Sequence, residues 1–388
     1  MSLLTDCPFF CCNSRILNQE EINGLSKSLL LPINGVNGEP WKILSEADIK
    51  VSNKIHQVGK PLKSWDLKIN FGIKTGLNAA FIISKAKRDE LVYDDPHCES
   101  FIKPLIRGRN TKRYKAIWGG EYLINTHNGI KSANIDRIHV EQYPSIKKHL
   151  DQFWKRLKDR SDQGDTPYNL RNCAYLKEFS KKKIVWKRIG SVMRFSFSDN
   201  EEFCLDSTCI ATGEKIKYLT GILNSKLCIY QLFKTSPKTG TGDQIISVQA
   251  LDPLEVYYPN EEEEALFNRL VDYILFLKNM NDVIECSGVN LAERGVELLE
   301  QTIDALTYEL YFKEEFKENG IEIFNNICNI WPNIDASDKE NSVRIICNAL
   351  NDILSEKGDV LPNFDKIYKL EEIKAIEEEL RRHNGERE

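Results

Sequence analysis

The alternation of apolar and polar residues from Leu67 to Phe71 constrains the fold more than any other stretch. Leu67, Ile69 and Phe71 belong on one face of a half-buried strand, because side chains alternate between the two faces of a sheet. Residues 72–78 (GIKTGLN) hold two glycines and an asparagine, which predicts a tight turn. Residues 79–83 then return as an apolar strand, so the sequence predicts a β-hairpin.

Two concentrations of basic residues accompany this predicted sheet. The first combines five cations within nine residues and no acid: Arg107, Arg109, Lys112, Arg113 and Lys115. The second is residues 181–188 (KKKIVWKR), at the start of a predicted strand. Basic loops beside a turn on a sheet are suited to contact with a polyanion, and the alternative is an ordinary solvated surface.

The rest of the chain predicts an α+β protein, a mixed sheet followed by a helical region. Before residue 260 we expect a helix over 45–59 with Ser45 as N-cap, two short helices within 84–106, strands over 114–118 and 121–125, a helix over 143–160, strands over 183–188, 194–198 and 203–211, a buried helix over 218–235 and a strand after 245. After it we expect helices over 261–279, 289–318, 321–330, 339–356 and 366–382.

Charge is divided unevenly along the chain. Residues 260–388 hold 14 Lys and Arg against 30 Asp and Glu, whereas the remainder holds 39 against 28. This asymmetry favours a nucleic-acid-binding part followed by a solvated acidic part. We therefore divide the chain into an arm or remnant of an upstream domain (1–40), a recognition domain (41–260) and an acidic helical region (261–388). The acidic region should repel phosphates, so we expect removal of residues after about 318 to preserve or raise DNA affinity.

Cysteine usage and hydropathy indicate a cytoplasmic protein. The eleven cysteines are scattered and contain no C-x-x-C pair, which favours reduced thiols over disulfides or a metal site. The chain has no apolar run near the roughly 20 residues that a membrane-spanning helix needs, and its start lacks the pattern of a signal peptide. We expect no membrane partner.

An ordered series of segments resembles a known family. GIKTGLNAAFII, IKPLIRGRNTKRY, WGGEYLI and YPSIKKHLDQF are followed by DQGDTPYNLRNCAYLKEFSKKKIVW, CLDSTCIATG and YLTGILNSKL. This series resembles the target-recognition domain of type IIG restriction–modification enzymes and related adenine-N6 DNA methyltransferases, over roughly residues 40–312. The resemblance implies sequence-specific binding of double-stranded DNA, with a methyltransferase catalytic domain as partner in cis or in trans.

The catalytic half of that family is missing from this sequence. An adenine-N6 methyltransferase needs an Asn-Pro-Pro-Tyr-like loop for the flipped base and a glycine-rich turn after a strand for S-adenosylmethionine. The chain contains no Pro-Pro and no G-x-G after a predicted strand. We expect no cofactor in this chain and S-adenosylmethionine in the missing domain. Two alternatives stay open: an interaction protein that docks a separate methyltransferase, and an enzyme with an unrecognised catalytic centre.

Charge and side-chain shape define the candidate DNA contacts. These are Lys74, Thr75, Asn78, Arg107, Arg109, Asn110, Lys112, Arg113, Lys181, Lys182, Lys183, Lys187, Arg188, Lys238 and Thr239. Arginine and asparagine are able to read bases, whereas the lysines of residues 181–183 are suited to phosphates. For part of this set we keep alternatives to DNA contact. In the first, Arg107 forms a structural ion pair with a nearby acid. In the second, Thr75 and Asn78 serve only to form the turn.

Overall fold

The structure is a computed structural model that describes residues 10–11, 31–32, 45–280, 285–286, 289–328, 330–355 and 360–385. Its strands are β1 (Phe10–Cys11), β2 (Leu31–Pro32), β3 (Lys60–Pro61), β4 (Leu67–Phe71), β5 (Ile82–Ser84), β6 (Ile102–Ile106), β7 (Tyr114–Lys115), β8 (Glu121–Ile124), β9 (Lys183–Lys187), β10 (Ile189–Gly190), β11 (Phe195–Ser198), β12 (Phe203–Cys204), β13 (Thr208–Gly213), β14 (Gln244–Ile245), β15 (Glu255–Val256), β16 (Glu285–Cys286) and β17 (Val289–Asn290). Apart from the β1–β2 pair, the predicted N-terminal arm (1–40) lies outside the described residues.

The helices are concentrated in the second half of the chain. They are α1 (Glu46–Val58), α2 (Asn78–Phe81), α3 (Lys85–Asp94), α4 (Pro144–Asp151), α5 (Trp154–Asp159), α6 (Ile216–Leu223), α7 (Lys226–Thr235), α8 (Val248–Leu251), α9 (Glu261–Asn279), α10 (Val296–Tyr311), α11 (Lys313–Glu318), α12 (Phe324–Ile327), α13 (Lys339–Leu354), α14 (Leu361–Ile367) and α15 (Glu371–Gly385). The α+β fold class is confirmed.

Two sheets form the recognition half. The larger has strand order β4-β13-β9-β11-β7, antiparallel except for the β11–β7 pair. The smaller has order β12-β6-β8-β5, with β12 parallel to β6. Alternation along β9 separates two cores, because Ile184 and Trp186 pack with the helices whereas Val185 packs with the smaller sheet. The larger sheet is therefore covered on both faces.

Local signals predicted the helix boundaries well. The Ser45 hydroxyl accepts a hydrogen bond from the Asp48 backbone N–H at 3.1 Å, and the Asp48 carboxylate accepts one from the Ser45 N–H at 3.2 Å. This capping box begins α1, and Gly59 ends it, as predicted. Asn260 and Glu263 form the same reciprocal cap at the start of α9. Both helices therefore confirm the sequence reading.

The predicted β-hairpin is wrong. β4 pairs with β13, far along the chain, so that Phe71 lies opposite Cys209. The turn residues after β4 lead into α2 instead, and β5 joins the smaller sheet through β8. The two strands predicted over 114–118 and 121–125 are also not neighbours, because β7 and β8 enter different sheets.

Three predicted helices are each divided, and the one over 289–318 is interrupted at Phe312, between α10 and α11. The helix over 143–160 becomes α4 and α5, and the helix over 218–235 becomes α6 and α7. The break between α6 and α7 lies at Ser225, whose backbone is extended and whose hydroxyl caps α7 by accepting from the Cys228 N–H. The preceding residue, Asn224, is fully buried. Its side-chain amide donates to the Phe195 carbonyl oxygen at 2.7 Å, and its amide oxygen accepts from the Phe195 N–H at 3.1 Å. The break thus clamps the start of β11.

The acidic helical region packs directly on the larger sheet. Leu299 and Ile303 of α10 belong to the same apolar core as Trp186. Ile346 of α13 and Ile376 of α15 extend that core outward. The residues on either side of the predicted boundary at 260 therefore share one hydrophobic core.

Candidate nucleic-acid interface

Cations from two separate segments lie at one end of the larger sheet. Lys187 ends β9, and the register with β11 brings Arg194 to the same end, because Phe195 lies opposite Trp186. β10 pairs with β14, so that Gly190 lies opposite Gln244, and Gln244 in turn lies opposite Lys238. We call Lys187, Arg188, Arg194 and Lys238 the cationic end.

The cationic end carries charge that the protein does not neutralise. Among the described residues, no carboxylate lies within 4.0 Å of the side-chain nitrogens of Lys187, Arg188, Arg194 or Lys238. The Arg188 guanidinium lies over the Phe71 ring, 5.7 Å from its centroid. An anion bound here would therefore not have to displace an internal ion pair. Sequence reasoning missed Arg194, although an arginine at a strand end beside a turn is a signal that could have identified it.

Backbone contacts hold this end rigid. The Trp186 indole N–H donates to the Ile246 carbonyl oxygen at 2.8 Å, and the Ile246 N–H donates to the Arg188 carbonyl oxygen at 2.8 Å. A Cβ at Gly108 would lie 3.1 Å from Lys187 Cγ, so glycine lets the turn of residues 108–110 pack on the Lys187 stem. Arg109 is thereby brought next to the cationic end.

Arg107 and Arg109 differ in availability. The Arg107 guanidinium makes two 2.9 Å hydrogen bonds to the Glu121 carboxylate, as the ion-pair alternative predicted. This arginine holds the pKa of Glu121 below its usual range. Arg109 approaches Glu121 only at 3.5 Å, and its side chain is 75% exposed. Arg109 is therefore free to reach a ligand, whereas Arg107 shapes the turn.

The next residues also divide into exposed and structural groups. Lys112 is exposed, and its backbone N–H and carbonyl oxygen both bond the Ser196 hydroxyl, at 3.1 and 2.6 Å. The Arg113 Nε lies 3.1 Å from the Glu300 carboxylate, which ties this loop to α10. Asn110 uses its backbone to bond Arg107 and Ile117, so it stabilises the turn.

The loop after β4 is fixed from below by a buried arginine. Thr75 is buried, and its hydroxyl donates to the Asn78 amide oxygen at 2.6 Å, as expected of turn formers. The Arg160 guanidinium donates to the carbonyl oxygens of Thr75 and Asn169. Lys74 remains half exposed and pairs with Asp162 at 2.9 Å. Asn78 is exposed, so Lys74 and Asn78 keep surface available for a ligand.

At the other end of β9, the structure contradicts the predicted contact of Lys183 with DNA. This residue is 0% exposed, and its ammonium donates to the carbonyl oxygens of Phe179 and Asn200. Burial lowers the pKa of Lys183. Because its donors are used inside the protein, it is not available for a phosphate. Lys181 pairs with Glu178 at 3.0 Å, and Lys182 is exposed.

The loop before β14 is closed by Thr239. Its hydroxyl accepts from the Asp243 N–H at 3.0 Å, and its own N–H donates to the Asp243 carbonyl oxygen at 2.8 Å. Thr239 thus forms the turn, and Lys238 is exposed on it. The structure therefore unites Arg109, Lys187 and Lys238, and it separates them from residues 181–183.

Other classes of site find no support in the described part of the chain. No group of three His, Cys, Asp or Glu side chains there could hold a metal ion. The seven cysteines with described side chains are free thiols. No helix among the described residues is long and apolar enough to cross a membrane.

Comparisons with known proteins agree with the sequence reading. Residues 103–254 match the family model of the TaqI-like C-terminal specificity domain. No curated protein matches the chain. Among solved structures, the type IIL restriction-modification enzyme MmeI, solved in complex with DNA, is similar over 81% of this chain and 37% of its own, with 13% identity and a TM-score of 0.46.

The type IIG restriction endonuclease BpuSI is similar over 75% of this chain and 38% of its own, with 14% identity and a TM-score of 0.39. The chain therefore spans little more than a third of the length of these two enzymes. The cationic end lies wholly within the segment that the family model covers. Over residues 103–254 the chain thus matches the TaqI-like C-terminal specificity domain, which confirms the resemblance predicted from its sequence.

Proposed function

We propose that the chain binds double-stranded DNA sequence-specifically, as the target-recognition part of a type IIG restriction–modification enzyme or an adenine-N6 DNA methyltransferase. This proposal rests on one observation, that two independent features lie in the same segment of the chain. The segment that matches a specificity domain also holds the cationic end, whose charges have no acidic partner among the described residues. In this proposal the protein works on cytoplasmic DNA.

The chemistry of the cationic end suggests a division of labour. Lys187 and Lys238 are point charges that suit phosphate oxygens and set affinity. Arg109 and Arg194 carry planar guanidinium groups, which fit guanine O6 and N7 with two parallel hydrogen bonds. Because the pairing of β9 with β11 and of β10 with β14 holds these segments, together with the hydrogen bonds of Trp186 and Ile246, their relative positions are fixed before DNA arrives. Contacts by the other predicted residues remain part of the proposal, except at Thr75 and Lys183, which are buried, and at Lys181 and Lys182, which lie at the opposite end of β9.

We further propose that methylation is performed by a catalytic domain outside this chain, in cis or in trans. S-adenosylmethionine needs an open turn between a strand and a helix. The turn from β13 into α6 does not fit that group, because a Cβ at Gly213 would lie 2.1 Å from the Asp66 carbonyl oxygen. The turn is filled by protein backbone. We therefore assign no cofactor to this chain.

A binding experiment tests the proposal. A site selected from a random duplex library and an unrelated duplex are each titrated with the protein by fluorescence anisotropy at low salt. Arg109→Ala should weaken the selected site by roughly 1–3 kcal/mol and spare the unrelated duplex. Lys187→Ala should weaken both and reduce the slope of log K against log salt by about 0.9. Titration of the same protein with S-adenosylmethionine should give no binding heat.

Lys182→Ala is the matched control. Lys182 is an exposed lysine of the opposite end of β9, and its loss should change neither affinity nor the salt slope. Failure of the unmodified protein to retain any duplex at low salt would contradict DNA binding. In that case the chain would be better described as an interaction protein for a separate methyltransferase.

A further inference from the structure

An exposed valine projects from the cationic end. Val192 lies in the turn between β10 and β11, and 51% of its surface is exposed. Its neighbours on either side of the turn are the basic residues Arg188 and Arg194. A single exposed apolar residue is common on protein surfaces. What distinguishes Val192 is its position between the basic residues of the cationic end.

The turn that carries Val192 is held at both ends. On one side, Gly190 pairs with Gln244, which is itself buried. On the other side, Met193 is buried in the core between sheet and helices, and Asn224 clamps the backbone of Phe195 with two hydrogen bonds. The apolar tip is therefore presented on a rigid support, and its side chain loses little freedom when it meets a ligand.

Cations surround this apolar tip. A Cβ at Gly190 would lie 3.5 Å from Lys187 Nζ, so the Lys187 ammonium lies directly against the start of the turn. Arg194 follows two residues after Val192, and Arg188 precedes it by four. If a nucleic acid bound to these cations through its phosphates, the base edges between its phosphate backbones would face the Val192 side chain.

We propose that Val192 is a specificity-determining residue that reads a thymine through its C5-methyl group. This inference rests on the proposed function. A valine side chain has no hydrogen-bond donor or acceptor, so it distinguishes bases by apolar contact alone. The thymine methyl is the apolar group that a base edge presents in the major groove. The flanking cations hold the phosphates on either side while Val192 contacts the base.

The experiment removes the thymine methyl group and the apolar side chain of Val192 in turn. Starting from a duplex selected by the unmodified protein, each thymine is replaced singly by uracil, which lacks only the methyl. One replacement should weaken binding about fourfold, the effect expected for one methyl withdrawn from an apolar contact. Val192→Ser should weaken the thymine duplex by a similar or larger factor and should bind thymine and uracil duplexes equally at that position.

Ile330→Ser is the control, because Ile330 is 61% exposed in the acidic helical region. It should retain the full difference between thymine and uracil. Thermal unfolding should show that both variants fold, as expected for exposed positions. Equal weakening of every duplex by Val192→Ser, with the sensitivity to uracil retained, would overturn the proposal, and so would an absence of any effect. A protein that selects no duplex would overturn the proposed function as well.

Discussion

At the scale of single residues, Lys182 and Lys183 are adjacent in the chain and differ in everything that surrounds their ammonium groups. Lys182 is exposed, whereas Lys183 is buried and donates to the carbonyl oxygens of Phe179 and Asn200. Three consecutive lysines in the sequence do not show which of their side chains faces inward. The register of β9 decides it, because Lys183 lies on the same face as Val185.

This difference leads to a prediction about stability. Lys183→Met should lower the free energy of unfolding in urea by roughly 1–3 kcal/mol, because the buried carbonyl oxygens lose their donor. The salt dependence of DNA binding should not change. Lys182→Met, the matched substitution next to it, should leave the unfolding free energy unaltered. A lower salt slope for a folded Lys183→Met protein would contradict this assignment.

At the scale of elements, the contact between α10 and α7 contains a buried carboxylate. Asp304 accepts a 2.7 Å hydrogen bond from the Lys226 backbone N–H at the start of α7. Burial raises the pKa of Asp304 to about 6, against the opposing influence of the Lys226 and Arg113 charges. The folded protein therefore holds this proton more tightly than the unfolded chain does.

The sign of the resulting pH dependence is fixed by linkage. Between about pH 4 and pH 6 the folded state binds more protons at Asp304 than the unfolded state, so this group makes stability fall as the pH rises. Above about pH 6, this group lowers the free energy of unfolding by on the order of 3 kcal/mol relative to its value below about pH 4. Asp304→Asn should remove this falling component from urea unfolding curves measured across the interval. An unchanged pH profile in the variant would show that Asp304 does not titrate there.

The elements also show what a sequence is able to predict. The N-cap residue Ser45 and the run of four glutamates from Glu261 are local signals, and they located the starts of α1 and α9 correctly. The predicted hairpin after Phe71 was wrong because the alternation of apolar and polar residues shows which face of a strand is buried. It does not show which strand pairs with it. The cations of the interface other than Arg194 were predicted individually. Their grouping into one end could not be, since it depends on the pairing of β9 with β11 and of β10 with β14.

At the scale of the whole molecule, the acidic helices are part of the core. Trp331, Ile346 and Ile376 pack into the same cluster as the larger sheet. Removal of residues after 318, which the charge pattern alone suggested would be harmless, should therefore lower the unfolding midpoint and expose apolar surface. Any loss of DNA binding in that truncated chain would follow from loss of structure.

Neutralising acidic residues without truncating the chain separates the effect of negative charge on DNA binding from the effect of lost structure. Glu371 and Glu378 are exposed on α15, so replacing both with glutamine removes negative charge and keeps the apolar side of the helix. We expect this double variant to unfold at the same temperature and to bind DNA at low salt as well as the unmodified protein or more tightly. Weaker binding by the folded variant would show that these carboxylates assist binding, against the charge argument.

The pairing of β4 with β13 also governs when the protein is able to fold. Every residue between Phe71 and Cys209 must leave the ribosome before these two strands meet. Until then, Leu67, Ile69 and Phe71 have no partner strand, and the growing chain exposes an apolar edge. Pairing across so long a stretch of chain is slow compared with the closure of a hairpin. Synthesis of this protein therefore includes an interval in which chaperones have an edge strand to protect.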